Sequence, residues 1–322
     1  MNDSQNSDLK VVFGSMTFGL PGTLAARVHQ VKDAAAIIDV FQKHGHTEVD
    51  SARGYGNGTT EEFLGGLNWE ERGLIMGTKL YPNFGFATTA VDQYTHQAAD
   101  HLKSTLFYLH GPDRKTPYEV TLGEVDKLHK EGYFARFGIS NYMSWEVTQI
   151  CEICDKHGWI KPTVYQGTYN ALHRTIEPEL FPCLRRYGIS LYAFQPLSGS
   201  FLTSRYQRDQ ADFDTGSRFD PSKGTLHRGR YWNDAYFDAL DIIRTAAKKH
   251  GITEAECALR WLKHHSQLRK EQGDAIIVGA TSTTQLEENL VDLEKYQLPE
   301  EVVHALDQAW LLVKGVAPNY WH

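Results

Sequence analysis

The chain has 322 residues, 41% hydrophobic and 23% charged, so it can bury a large core; such a length fits one big α/β barrel or two domains. Its net charge of -7, with no basic block and no interleaving of basic and aromatic residues, argues against a nucleic-acid partner. The N-terminus is short and polar, no apolar run nears the roughly 20 residues of a membrane span, and 4 cysteines make no disulfide framework, so a soluble protein of the reducing cytoplasm is expected.

Taken in order, the chain alternates. Strand-like runs fall at 11–16 (VVFGSM), 46–52 (HTEVDSA), 74–80 (LIMGTKL), 104–110 (STLFYLH), 134–140 (FARFGIS), 162–169 (PTVYQGTY), 189–197 (ISLYAFQPL) and 274–280 (DAIIVGA). Helix-patterned segments lie between them, among them 31–45, 117–132, 144–158 and 177–188, and several open on Ser, Thr or Pro and close on Gly. Eight strands, each followed by a helix, is the count of a (β/α)8 TIM barrel. No Gly/Ser linker or charge run divides the chain, so a single domain over 1–322 is expected, with 1–10 as a polar tail. The one long irregular stretch, about 198–232 after the seventh strand, has the length of a loop that closes over a ligand.

In such a barrel, ligands bind at the carboxyl ends of the strands. The residues of interest there are Met16-Thr17 after the first strand, then Asp50 and, in the glycine-rich turn beyond it, Tyr55. Lys79 stands on the third, His110 on the fourth, Ser140 and Asn141 on the fifth, Gln166 on the sixth, Gln195 on the seventh, and Gly279 to Ser282 on the eighth. Asp50, Tyr55, Lys79 and His110 come from three adjacent strands, and they make chemical sense together. A tyrosine with a pKa of about 10 is a poor proton donor at neutral pH, but a lysine ammonium against its oxygen lowers that value. Asp50 would hold Lys79 charged, and His110 would orient a carbonyl oxygen. The set reads as a general-acid site for a carbonyl group that gains a hydride.

The same segments carry a resemblance. VDSARGYGNGTTEEFLG, TKLYP, LFYLHGPD, FGISN, YQGTYN, YAFQPLSGSFLTSRY (192–206) and IIVGATSTTQLEENL (276–290) resemble, in order, the motifs of the aldo-keto reductase superfamily over roughly residues 11–320. Within it the chain is most similar to the aflatoxin-aldehyde reductase branch, through Arg230-Tyr231-Trp232 and the C-terminal AWLLVKGVAPNYWH. The resemblance implies Tyr55 as general acid, Lys79 and Asp50 as its tuning pair, and His110 as the substrate-orienting group. It implies a tail over the barrel mouth, a homodimer and NADPH/NADP+ as cofactor.

For that cofactor the resemblance assigns Ser140, Asn141 and Gln166 to the nicotinamide end, with Phe194 stacking on the ring and Met16 among the other cofactor contacts. Gln195, Pro196, Leu197, Ser198, Ser200 and Arg205 would wrap the pyrophosphate. Arg218, Gly279, Ser282, Gln285, Glu288 and Asn289 would hold the adenosine end. Other branches carry Lys and Arg where this chain has Gly279 and Gln285, which leaves Arg218 or Arg205 for the 2′-phosphate. No GxGxxG opens a helix after the first strand, so a Rossmann site is not expected. Substrate contacts fall on His110, His227, Arg230, Trp232 and His322. His322 replaces the branch's C-terminal Arg, and Tyr231, Trp232, Tyr320 and Trp321 would form an apolar wall suited to aryl or bulky aldehydes, with dialdehydes and semialdehydes as further candidates.

No metal site is expected. Cys151 and Cys154 lack a second cysteine pair, and His264-His265 ends a helix, where a cation suits the dipole. The expected activity is aldehyde reduction in the service of detoxification. Its rivals are a cofactor-binding sensor or regulatory subunit with slow turnover, and an alcohol or sugar dehydrogenase working in the oxidising direction.

Overall fold

The eight strand-like runs close into one ring. The computed structural model describes residues 9–23, 25–81, 104–213, 217–221 and 226–322. Strands β1 (Lys10–Gly14), β2 (Glu48–Asp50), β3 (Ile75–Leu80), β4 (Ser104–Leu109), β5 (Phe134–Ser140), β6 (Pro162–Thr168), β7 (Ser190–Phe194) and β8 (Ala275–Val278) pair in sequence order, and β8 returns to β1. Every pairing is parallel, as a (β/α)8 barrel requires. The helix expected after β3 falls in 82–103, outside the described residues. So do 1–8 of the N-terminal tail and 214–216 and 222–225 of the long loop.

Period-two alternation along each strand builds two cores. Phe13, Val49, Met76, Phe107, Phe137, Tyr165, Leu191 and Ile276 face outward under the helices. Val12, Leu106, Tyr108, Val164, Tyr192, Ala275 and Ile277 form a separate cluster inside the ring. The Tyr108 ring lies across the face of β5, where a Cβ on Gly138 would come within 2.4 Å of its Cδ1. Above this layer the inward side chains turn polar, and the site begins there.

Strand ends differ from expectation for local reasons. β1 stops at Gly14 because Ser15–Thr17 wind into a 3-10 turn, where Ser15 Oγ donates to Asp50 O at 2.8 Å and Thr17 Oγ1 to Ala280 O at 2.7 Å. β7 stops at Phe194 because Gln195 and Ser198 take φ of 58° and 51°, in the left-handed region that no strand tolerates. The long loop is not wholly irregular. It contains a 3-10 turn at Ser198–Ser200 and a helix at Leu226–Tyr231 before the helix Asp234–Lys249 begins. The last helix, Glu300–Val313, packs on Asp234–Lys249, and the tail beyond it returns to the barrel mouth, where His322 meets Tyr81. Among the described residues, no helix is long and apolar enough to cross a membrane.

Candidate active site

β2 delivers Asp50 to the mouth, and the chain then reverses within a few residues. Gly56, Asn57 and Gly58 take φ of 53°, 56° and 96°. The φ of 96° at Gly58 favours glycine, and a Cβ there would also push the Arg53 guanidinium aside, standing 2.1 Å from its Nη1. Thr60 Oγ1 donates to Phe18 O at 2.7 Å and ties the turn to the loop after β1. The turn leaves Tyr55 partly exposed beside the strand ends.

Lys79 comes up on β3, paired in register with Tyr108 on β4. Its Nζ donates to Asp50 Oδ2 at 2.7 Å and to Ser51 O at 2.6 Å. The Lys79 side chain is fully buried and that of Asp50 only 6% exposed. A buried ion pair is poor value for stability, since two apolar residues would do as well, so its place at the strand ends points to chemistry. Burial would pull the Lys79 ammonium down, but Asp50 and Tyr55 outweigh it and its pKa stands above the ordinary lysine value. Burial pushes the Asp50 carboxyl up against the pull of Lys79 and Gln166.

The Lys79 ammonium lies 4.7 Å from the centroid of the Tyr55 ring. It lowers the phenol's pKa as expected, but burial raises it further, with help from Asp50, and the net shift is upward. This corrects the expectation of a lowered phenol: in the protein alone Tyr55 keeps its proton firmly, and the lysine limits the cost of losing it. His110 meets Tyr55 edge-on, ring centroids 5.8 Å apart. Burial, then Lys79 and His322, hold its pKa well below 6.5, so the ring is a neutral imidazole with one N–H to offer. Its backbone is pinned on both sides, by His110 N to Leu80 O at 2.8 Å and Asn141 Nδ2 to His110 O at 2.8 Å.

Three polar side chains, Ser140 on β5, Asn141 just after it and Gln166 on β6, have fixed polarity. Asn141, at φ 67°, uses both amide protons, on His110 O and on Ser140 Oγ at 3.0 Å, which leaves Oδ1 as an acceptor. Gln166 Nε2 donates to Asp50 Oδ1 at 2.8 Å, which turns Oε1 away as a second acceptor. Ser140 Oγ accepts from Asn141 and keeps its own proton to donate. Two acceptors and one hydroxyl donor match a primary carboxamide, which offers two N–H groups and one carbonyl oxygen.

The loop after β7 is held from below. Ser198 Oγ donates to Asn170 Oδ1 at 2.9 Å, and Asn170 Nδ2 donates to Gln195 O at 3.0 Å. Tyr231 OH donates to Gln195 Oε1 at 2.9 Å. The side chains of Gln195 and Ser198 are thus spent on the fold. Ser198, Gly199 and Ser200 all have positive φ, at 51°, 70° and 80°, the backbone form that turns successive N–H groups to one side. Phe194 is half-buried against the interior cluster, and Pro196, Leu197 and Met16 line the rim as buried or half-buried residues.

Charge at the mouth is one-sided. Arg218 has no carboxylate partner among the described residues; burial and the Arg27 charge lower its pKa, and its field reaches Tyr55 and His227. Arg230 likewise has no acidic partner there, and its charge depresses His173, His227 and His322. Burial, then Arg218 and Arg230, bring His227 to about 3. On the far rim, Ser282 caps the helix Thr283–Glu294 through Gln285 N at 3.2 Å, and Gln285 Oε1 accepts from Thr281 N at 2.9 Å. Gly279, Ser282 and Glu288 are exposed there, Asn289 is buried, and Arg205 is exposed on the loop.

The expected aromatic wall is mostly packing. Trp232 is ringed by Tyr206, Phe213, Phe219 and Phe237, with centroids 5.0 to 5.8 Å away. Tyr231 is fully buried, Tyr320 OH accepts from Ser144 N at 3.0 Å and donates to Glu179, and Trp321 lies along Arg114. The wall nearest His110 is Tyr81, 5.4 Å between ring centroids, with His322 stacked on it at 5.8 Å and His322 Nε2 bonded to its hydroxyl at 2.5 Å. Arg114 Nη1 donates to His322 O at 3.0 Å while its Nε and Nη2 clasp Glu146. Sequence reading passed over Tyr81 although it follows Lys79 by two residues in TKLYP; nothing in the spacing announced Arg114, Asn170 or Arg27. Cys151 and Cys154 are buried on the helix Ser144–His157, where burial pushes both thiols up to about 12.

Comparison with known proteins points to one family. The profile of the Aldo/keto reductase family matches residues 10–311. Aldo-keto reductase pigE of Monascus ruber is 50% identical over 338 aligned positions, covering 99% of both chains. Aflatoxin B1 aldehyde reductase member 2 of Homo sapiens is 42% identical over 306, covering 89% of this chain and 84% of its own. The structure of an aldo/keto reductase from Klebsiella pneumoniae in complex with NADP and acetate superposes with a TM-score of 0.67 over 97% of this chain and 93% of that one, at 22% identity.

Proposed function

Because the chain belongs to the aldo/keto reductase family, we propose that it reduces aldehydes to alcohols with NADPH, Tyr55 protonating the carbonyl oxygen. The observation that carries this reading is the buried Asp50–Lys79 pair set against Tyr55. Such an arrangement serves a phenol that must lose and regain a proton in a dry site.

The residues present fit the cofactor. Ser140, Asn141 and Gln166 offer the donor and acceptors of a carboxamide seat. Phe194 supplies a flat neighbour, and the backbone N–H groups of Ser198 to Ser200 and Arg218, which has no carboxylate partner among the described residues, suit a pyrophosphate. The 2′-phosphate would be met by Arg218 or Arg205. Ser282, Gln285, Glu288 and Asn289 would meet the adenosine.

When bound, NADPH supplies the hydride to the carbonyl carbon. His110, neutral, donates its N–H to the substrate oxygen and turns the carbonyl toward Tyr55. Tyr55 gives its proton to that oxygen as the C–H bond forms. The phenolate is stabilised by Lys79, which Asp50 holds in place, and it recovers a proton from solvent. Tyr81 and His322 flank the aldehyde body, while Arg230 and His227 form its polar side, so aryl aldehydes and anionic semialdehydes both suit the pocket.

The test is loss of NADPH absorbance with 4-nitrobenzaldehyde. Many turnovers per protein are expected; one slow turnover followed by retained NADP+ would favour the sensor and overturn the reductase.

A further inference from the structure

Gln166 makes one contact that a cofactor seat does not require. Its Nε2 donates to Asp50 Oδ1 at 2.8 Å, and both residues are buried. In the closed ring β6 stands opposite β2, so this bond crosses the barrel interior. A carboxylate only accepts, so the amide has one orientation, with Nε2 toward Asp50 and Oε1 toward the mouth. Asp50 is thereby held at both oxygens, by Gln166 on one and Lys79, at 2.7 Å, on the other. Register fixes the strut: Gln166 is paired with Ser140 on β5 and with Tyr192 on β7, so its side chain enters beside the Ser140 hydroxyl.

We propose that Gln166 is a positioning residue of the proton-donor network, holding Asp50 beneath Lys79 and linking the carboxamide seat to the charge that tunes Tyr55. The inference rests on the reductase reading for its catalytic consequence, but the Gln166–Asp50 strut exists in the protein without cofactor. The charged and titratable groups that face Asp50 are Lys79 from β3, Tyr55 from the turn, Tyr108 from β4 and Glu48 from its own strand. Only Lys79 and Gln166 favour the carboxylate; burial and Glu48 oppose it.

Gln166→Met keeps the volume and removes the donor. Asp50 then binds a proton at higher pH, and its hold on Lys79 fails below that point. A hydrogen bond to a charged group sets the scale, so the acid limb of kcat should move up by about one to two pH units. In the cofactor-free protein, the folded variant binds more protons than the unfolded chain. Its denaturation midpoint should therefore fall below that of the wild type by a margin that widens as pH rises from the ordinary carboxylate range through the raised Asp50 value. Pairing Gln166→Glu with Asp50→Asn reverses the donor and acceptor and should recover the midpoint that Gln166→Glu alone loses.

The measurements are the kcat profile, NADPH affinity by tryptophan fluorescence quenching, and urea midpoints across that pH range. Weaker NADPH binding with an unmoved acid limb and a pH-independent midpoint gap would reduce Gln166 to a cofactor ligand and overturn the proposal. Were the wild type unable to turn over aldehydes, the reductase reading would fall. The pH dependence of the midpoint gap would still decide the strut, a widening gap supporting it and a constant gap refuting it.

Discussion

Replacing Lys79 with methionine removes the ammonium and strands the carboxylate of Asp50. The pair is 2.7 Å apart, with side chains 0% and 6% exposed. At an effective dielectric constant of about 20, their attraction is roughly 6 kcal/mol. The net loss is smaller, about 3–5 kcal/mol, because Asp50 keeps Gln166 and can take up a proton. That uptake gives the sign of the pH dependence. Burial already raises the Asp50 carboxyl, and without Lys79 nothing but Gln166 pulls it down, so the folded state binds a proton the unfolded chain lacks. Stability of Lys79→Met should therefore fall as pH rises from the ordinary carboxylate range through the raised folded value. Adding Asp50→Asn removes the stranded charge and should recover most of the loss, while activity stays absent. Urea denaturation followed by tryptophan fluorescence at pH 6 and pH 8 reads all three proteins. A Lys79→Met protein as stable as wild type at pH 8, or a double variant no better than the single, would refute the reasoning.

Other expectations follow from the same geometry. His110 should report a neutral imidazole by nitrogen NMR at pH 6, since burial, Lys79 and His322 keep its pKa well below 6.5; an imidazolium signal there would contradict its assigned role. Arg230→Met should raise KM for 2-carboxybenzaldehyde about 10- to 100-fold, the worth of a charge-assisted contact, and leave KM for 4-nitrobenzaldehyde nearly unchanged; equal effects on both would remove Arg230 from anion binding. Gly138→Ala puts a Cβ 2.4 Å from the Tyr108 ring and should lower stability by about 1–3 kcal/mol; an unaltered urea midpoint would show that the ring can move.

Much of the ring was legible because each parallel strand, buried on both sides, reads as a short apolar run between capped helices. Even the three-residue β2 fits the longer expected run, since Ser51 N to Gly77 O at 2.9 Å and Arg53 N to Lys79 O at 3.0 Å continue its ladder past Asp50. The grouping of Asp50, Tyr55, Lys79 and His110 was legible from their strand-end positions, and closure of the ring explains why they meet. Contacts across the ring were not. Gln166 and Asp50 are 116 positions apart on opposite strands, and no spacing rule links them until the barrel closes. The direction of the Tyr55 shift was missed for a related reason: residue types name the lysine that lowers the value, while the burial that outweighs it exists only in the folded mouth. The packing of Trp232 was not legible because an aromatic beside a substrate loop and one that packs the loop's own core share the same sequence pattern.

The central claim is that Tyr55 donates the proton, and Tyr55→Phe tests it most directly. The variant keeps the ring and loses only the hydroxyl, so NADPH affinity by fluorescence should stay close to the wild-type value. Single-turnover NADPH oxidation with 4-nitrobenzaldehyde should slow by about 100- to 10,000-fold, the usual worth of a positioned general acid. Turnover at the wild-type rate, with NADPH bound as before, would contradict the account.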